Sequence, residues 1–364
     1  MPENHLPLMP PRTRIIKVDQ DNPDPQAVKS GAAVILAGGT VIFPTETVYG
    51  LGANGLDQDA CLKIFTAKNR PADNPLILHI SSLEMLDGIA VLPDSSVRQR
   101  LAHFWPGPLT VLLEKTDVVP AAVSAGQPTV AVRMPDNRLA LELISASDVP
   151  IAAPSANLST RPSITDSQDA VREMSGRVDL IYDSGKTSFG VESTILDLTT
   201  TPPRLLRAGS TTVESLQEVF GSIEISDAAR GTVESNVAIT PGMKYRHYAP
   251  EKPFFLMNSM EDFRRLLDLD LGHLGILAMG ADEVCSKDQC LRLGSMNDLR
   301  QVGHNLFSAF RELDRSDFNM AVIHPFPENG YGLAIMNRIR KATGHRVITT
   351  EEVLELAGNS NQTL

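Results

Sequence analysis

The sequence predicts an α/β protein made of a larger N-terminal unit and a smaller C-terminal one. Three observations carry this. From Ile15 to about Gly209, short apolar runs rich in β-branched residues alternate with stretches of helical periodicity. Between Ser226 and Pro241 that periodicity is lost, and Ser, Ala, Gly, Thr and Asn dominate as they do in an interdomain connection. From Pro253 the alternation resumes. A chain of 364 residues is also longer than one ordinary domain needs.

Taken in order, strands are expected at residues 40–43, 76–80, 129–134 and 193–198, each rich in β-branched residues and bounded by Gly or Pro. The clearest helix spans residues 57–68. Asp57 can cap its N-terminus, and Cys61, Ile64 and Phe65 recur on one face. A short helix follows at 213–220. In the second unit a strand at 254–257, a helix at 261–269, a strand at 274–279 and a long helix at 299–313 are expected. The stretch from Gly332 to Arg338 fits a packed helix and a docking surface equally well. There is no internal repeat or low-complexity tract.

Composition narrows the function classes. With 42% hydrophobic and 21% charged residues, the chain has enough apolar material for real cores, which excludes disordered and collagen-like proteins. Apolar runs such as residues 32–37 fall far short of the ~20 residues of a membrane span. The Leu6–Pro11 patch is too short and too proline-broken for a signal peptide. No membrane partner is expected, and a cytoplasmic location follows as the default. Cys61, Cys285 and Cys290 match neither a zinc site nor a disulfide framework, so all three are expected to be ordinary thiols. A net charge of -11 opposes broad attraction to nucleic-acid phosphates, so any contact with RNA would use a local patch.

Two nucleotide motifs mislead. Gly50-Leu51-Gly52-Ala53-Asn54-Gly55 fits the dinucleotide fingerprint G-x-G-x-x-G, but Pro44 interrupts the preceding strand and the helix starts only after Gly55. A glycine turn is the expected reading. Gly185-Lys186-Thr187 ends like a P-loop, yet Leu180 stands where the motif requires its first glycine.

Other polar groups are candidates for chemistry. Pro71 drives Arg70 toward an extended conformation, in which Lys68 and Arg70 would point to one side and could grip one anion. The alternative is a solvated helix C-terminus. Ser155 and Asn157, again two apart, close a strand-like run where ligands meet open α/β sheets, or else simply make a turn. Arg133 lies on a mostly apolar strand, where a guanidinium needs either a structural carboxylate or a ligand's carboxylate. His79 reads as a structural histidine. Thr45 and Thr47 place two hydroxyls on one side of an extended segment.

Jointly these segments have a clear parallel. Pro44–Gly52 (PTETVYGLG), Lys68–Pro71 (KNRP) with Asn74-Pro75-Leu76, Trp105–Thr110 (WPGPLT), Val130–Pro135 (VAVRMP), Ala153–Asn157 (APSAN) and Gly190–Thr194 (GVEST) occur in the order seen in the YrdC-type family. The chain resembles an L-threonylcarbamoyladenylate synthase of the long, two-domain branch, whose linker motif matches Pro241–Pro250 (PGMKYRHYAP). The likeness runs from about Ile15 to Thr350.

The resemblance implies a YrdC-type twisted open mixed sheet with helices, plus a smaller C-terminal Rossmann-like α/β domain. It divides the chain into a catalytic domain at 1–212, a linker at 213–252 and a C-terminal domain at 253–364. It implies a nucleotidyltransferase that condenses L-threonine, bicarbonate and ATP into threonylcarbamoyl-AMP and pyrophosphate, the first step of N6-threonylcarbamoyladenosine formation in tRNA. Thr47, His79, Arg133 and Ser193 would line the threonine site. Lys68, Arg70, Asn74, Thr129, Ala153, Ser155, Asn157, Ser163, Arg207 and the linker residue Tyr245 would contact ATP, with Lys68, Arg70, Ser155 and Asn157 closest to the chemistry. The linker carrying Tyr245, His247 and Tyr248 would act as a lid.

Mg²⁺ is expected to arrive with ATP, without a dedicated protein metal site. A carbamate nucleophile needs positioning and charge neutralisation more than a general base, which suits a constellation rich in cations and hydroxyls. The expected partners are the downstream threonylcarbamoyl-transfer machinery and, as a further candidate, tRNA itself. Two rivals differ in class: an RNA-binding module without turnover, and a carbamoyl-transfer enzyme sharing the domain.

Overall fold

The computed structural model describes residues 12–233, 248–285 and 290–360. Each strand expected in the N-terminal unit forms, within a residue or two of its expected ends. They lie in a twelve-stranded mixed sheet whose order is Arg14–Lys17, Leu180–Asp183, Val41–Phe43, Gly50–Asn54, Ile151–Ala152, Ile77–His79, Thr129–Arg133, Leu109–Lys115, Thr194–Asp197, Arg204–Arg207 and Glu224–Ile225, with Ala90–Val91 beside Leu109–Lys115. The smaller sheet has five strands, all paired in parallel, in the order Cys290–Arg292, Ile276–Gly280, Met320–Ile323, Phe254–Met257 and Val347–Ile348. Parallel pairing requires crossovers, and the helices Met260–Leu267, Leu299–Arg315 and Gly332–Ala342 lie between these strands in the chain.

Asp57 caps the helix Gln58–Lys68 by accepting from the backbone amides of Asp59 and Ala60. That helix ends on Asn69, which adopts the left-handed conformation at φ 51°.

The run Gly50–Asn54 is a strand, not the expected turn. It pairs antiparallel with Val41–Phe43, and the turn lies earlier, where Thr45 donates its amide to the Val48 carbonyl. Glycine is used for close approach: a Cβ on Gly52 would sit 2.6 Å from Ile151 and Phe43 side-chain carbons. The loop holding Gly185-Lys186-Thr187 likewise heads no helix, and leads through Gly190 to the strand Thr194–Asp197.

Two further differences concern the second half of the chain. The helix Val213–Phe220 packs on the first sheet, and Glu224–Ile225 joins it, so the connection between sheets begins later than residue 213. Cys285 and Cys290 form a disulfide, correcting the expectation of three thiols. Cys285 sits in the turn that leaves Ile276–Gly280, and Cys290 opens the neighbouring strand, which brings their Cα atoms to 5.3 Å. Cys61 is free and buried, its thiol pushed up to about 12 by burial.

One apolar cluster runs through both units. It joins Val191, Ala208, Leu216 and Ala229 of the first to Leu306, Phe307, Phe310 and Ile339 of the second. The stretch Gly332–Arg338 is therefore a packed helix, fully built into this shared core. Among the described residues no helix is long and apolar enough to cross a membrane.

Candidate active site

Ten of the fourteen expected site residues line one cavity of about 700 Å³, counted with its open mouth. Its floor is a sheet face. His79 and Arg133 are register partners on adjacent parallel strands, and Ile77 lies two residues back on the same face. The neighbouring strand Ile151–Ala152 runs the other way, so a mixed sheet offers no common carboxyl edge, and the cavity lies on the face instead.

Arg133 is nearly fully buried. Its Nε donates to the Gly107 carbonyl at 3.3 Å, one terminal nitrogen donates to Thr47 Oγ1 at 2.9 Å, and the other lies 2.6 Å from Glu46 Oε2. The WPGPLT segment thus supplies a backbone acceptor for the arginine, and the PTETVYGLG segment supplies a hydroxyl and a carboxylate. Thr45 and Thr47 hydroxyls do meet, at 2.9 Å, through a turn rather than through an extended segment. His79 donates from Nδ1 to the Ile77 carbonyl at 3.2 Å, and burial together with the Arg133 charge pushes its pKa down to about 3. It is a neutral imidazole at physiological pH.

Lys68 is no solvated helix end, because only 1% of it is exposed. Its ammonium donates to the carbonyls of Ser155 and Asn157, and burial, then the Arg70 charge, lowers its pKa well below the usual lysine value. Arg70 reaches the same cavity, but through left-handed Asn69 rather than by extended alternation. It donates to the carbonyls of Asn74 and Pro75. Ser155 Oγ donates to Asn157 Oδ1 at 2.5 Å, and Asn157 Nδ2 donates to the carbonyls of Leu158 and Arg161. The APSAN segment is a turn and a cavity wall at once.

The opposite wall carries Ser193 and Arg207, joined by hydrogen bonds from Arg207 to the Ser193 carbonyl and hydroxyl at 2.9 and 3.0 Å. Ser193 Oγ also meets Thr110 Oγ1 at 2.7 Å. Ala153 lines the cavity as expected.

Asn74, Thr129 and Ser163 are not brought to this wall. Thr129 stands at the opposite end of its strand from Arg133, about 13 Å away at ~3.3 Å per residue. Asn74 is buried beside Arg70, and among the described residues its Oδ1 meets no donor. Ser163 acts from behind, donating at 2.5 Å to Glu192 Oε1. Tyr245 and His247 lie outside the described residues; Tyr248 is buried on the cavity wall.

Sequence reasoning missed Glu46 and Glu192. Each is a lone glutamate inside a motif, with no periodic signal to mark it. Burial raises Glu192, and the Arg338 and Arg207 charges more than offset this, so its carboxyl stays below the usual range. Arg311 was missed as well. It reaches from the helix Leu299–Arg315 to Glu173 at 2.7 Å and to the carbonyls of Pro162 and Ser163, next to the wall segment 159–161.

Among the described residues, no cluster of three or more His, Cys, Asp or Glu side chains is arranged to hold a metal ion. The cavity is walled by cations, hydroxyls and backbone carbonyls, with Glu192 its carboxylate. Such a wall suits polyanionic ligands and a small zwitterion, and it offers positioning and charge neutralisation.

Comparison with known proteins agrees with this chemistry. The Sua5/YciO/YrdC family model, described as telomere recombination, matches residues 33–209, and the model described as the threonylcarbamoyl-AMP synthase C-terminal domain matches residues 211–344. A threonylcarbamoyl-AMP synthase of Pyrococcus abyssi is 43% identical over 329 residues, covering 88% of this chain and 95% of the relative. The Bacillus subtilis protein of the same name is 42% identical over 332 residues, covering 89% and 95%. The crystal structure of Pyrococcus abyssi Sua5 complexed with L-threonine superposes with a TM-score of 0.86 at 41% identity, covering 92% of this chain and 99% of that one.

Proposed function

The chain belongs to the Sua5/YciO/YrdC family and carries that family's threonylcarbamoyl-AMP synthase C-terminal domain, and from this premise we propose that it condenses L-threonine, bicarbonate and ATP into threonylcarbamoyl-AMP, releasing pyrophosphate. The observation that carries the reading is convergence. Segments scattered from residue 44 to residue 207 meet around one cavity rich in cations and hydroxyls.

In this reading Arg133 and Thr47 receive the threonine carboxylate, with neutral His79 and Ser193 completing that end. Lys68 and Arg70 face the triphosphate, where their charge answers the departing pyrophosphate. Ser155, Asn157, Ala153 and Arg207 hold the nucleotide in line. Asn74, Thr129, Ser163 and Tyr245 keep nucleotide roles by resemblance alone, and the unmatched Oδ1 of Asn74 beside Arg70 is an acceptor suited to a ligand.

The threonine amine, having given up its ammonium proton, attacks the bicarbonate carbon and forms a carbamate with loss of water. One of its oxygens attacks the ATP α-phosphorus as the bond to the β-phosphate oxygen breaks, and no side-chain base is needed for that step. Enclosure protects the hydrolysis-prone intermediate.

Magnesium fits as a counter-ion carried by the triphosphate. Glu192 is already engaged by Ser163 and Arg338, and ATP-bound Mg²⁺ needs few protein ligands. The product would pass to a threonylcarbamoyl-transfer machinery acting on tRNA.

The test is pyrophosphate release with threonine, bicarbonate and Mg²⁺ each supplied or omitted, with Lys68→Ala as control. Release should require all three and fail in the variant. No release under any condition, with tRNA still bound, would replace the synthase by an RNA-binding protein.

A further inference from the structure

The C-terminal unit sends a fully buried cation to the back of the cavity wall. Arg338, on the helix Gly332–Ala342, is 0% exposed. Its Nε donates to Glu192 Oε2 at 2.7 Å, and one terminal nitrogen donates to the Ala208 carbonyl at 2.9 Å and to Asn337 Oδ1 at 2.8 Å. Its guanidinium carbon lies 5.2 Å from the ring centre of Tyr248, itself a wall residue.

The places gripped are specific. Glu192 precedes Ser193, and Ala208 follows Arg207, the two wall residues that are hydrogen-bonded to each other. Arg338 therefore clamps from behind the same two backbone segments that Arg207 clamps from the cavity side. Those segments pass so closely that a Cβ on Gly209 would lie 2.4 Å from the Glu192 carbonyl oxygen. A rigid fork spans Glu192 and Ala208 together, which a single ammonium cannot do. A buried guanidinium is tolerated only with its carboxylate in place, so the contact ties the seating of one unit to the order of the other.

We propose that Arg338 is a positioning residue for the nucleotide end of the cavity, so that the C-terminal unit completes the site by fixing Arg207 and Glu192. This rests on the reading of the cavity as the ATP and threonine site, with Arg207 toward the nucleotide.

Arg338→Lys keeps the charge and the helix but reaches Glu192 or Ala208, not both. Its KM for ATP should rise about tenfold, the equivalent of one charge-assisted contact, while KM for threonine and kcat per folded molecule change much less. Arg340→Gln, on the same helix at the exposed Glu328 pair, should leave both KM values unchanged.

A role confined to stability would lower kcat with the folded fraction and leave KM for ATP at its wild-type value, which overturns the proposal. If Arg338→Lys does not fold, Asn337→Ala provides the same reading, because it removes an acceptor that holds the Arg338 fork and leaves the Glu192 pair and the cavity lining in place. If the wild-type protein releases no pyrophosphate, the synthase reading fails by itself. Calorimetric ATP affinity of wild type and variant then decides on Arg338, a weakened affinity supporting the role and an equal one ending it.

Discussion

Arg133 and Glu46 lie 2.6 Å apart with each side chain only 4% exposed, so the arginine offered to a ligand carboxylate already has a carboxylate of its own. One partner is on the strand Thr129–Arg133 that floors the cavity, and the other is in the turn after Val41–Phe43, between the cavity residues Thr45 and Thr47. Among the described residues the Glu46 carboxylate meets no donor beyond this ion pair, while its carbonyl accepts the amides of Ser188 and Phe189.

Arg133→Lys should raise KM for threonine by about tenfold or more, with KM for ATP changed far less. One ammonium cannot serve Gly107, Thr47 and Glu46 while also meeting a ligand, and a charged hydrogen bond is worth ~1.5–3 kcal/mol. Steady-state kinetics at saturating ATP checks this, and an unaltered threonine KM would take Arg133 out of the threonine site.

Glu46→Gln should reduce stability by about 3–5 kcal/mol, since it leaves a buried guanidinium without its counter-charge. Urea denaturation reads this directly. A loss below about 1 kcal/mol would mean that Arg133 finds solvent or another anion once the carboxylate is removed.

Arg70→Lys keeps the charge and loses the planar fork, so turnover should fall about tenfold. Lys68→Ala should be more severe, because it removes a cation facing the cavity and leaves the Ser155 and Asn157 carbonyls without their donor. Pyrophosphate release measures both, and wild-type turnover in Arg70→Lys would place Arg70 away from the phosphates.

The pH dependence of stability should carry the signature of His79. Its folded pKa, about 3, lies below the unfolded value near 6.5, so within that window the unfolded chain binds a proton that the fold refuses. Stability therefore falls as pH drops from about 6.5 toward 3, by up to ~1.4 kcal/mol per pH unit, and above about 6.5 the contribution is constant. His79→Asn should flatten the acid limb of a urea-midpoint profile by about one proton. An identical limb would assign the acid sensitivity to other groups.

Some of this molecule was legible because the signal is local. β-Branched runs between Gly and Pro marked the strands, and Asp57 marked a helix start through a hydrogen bond spanning three residues. Lys68, Arg70, Ser155 and Asn157 were marked as polar pairs, although left-handed Asn69 rather than extended alternation brings the first pair to one cavity. The glycine strand Gly50–Asn54 was misread because glycine has no side chain with which to show alternation. The Cys285–Cys290 bond was missed because sheet register, not spacing, brings those residues together.

The sequence by itself determined an alternating α/β chain in two units, and the ordered motifs named the chemistry. Only the tertiary structure decided which charges meet. Arg133 finds Glu46 across 87 positions, and Arg338 finds Glu192 across 146. Secondary structure follows from preferences acting over a few residues, whereas a buried ion pair forms only after two units pack and exclude the water that would otherwise screen both charges.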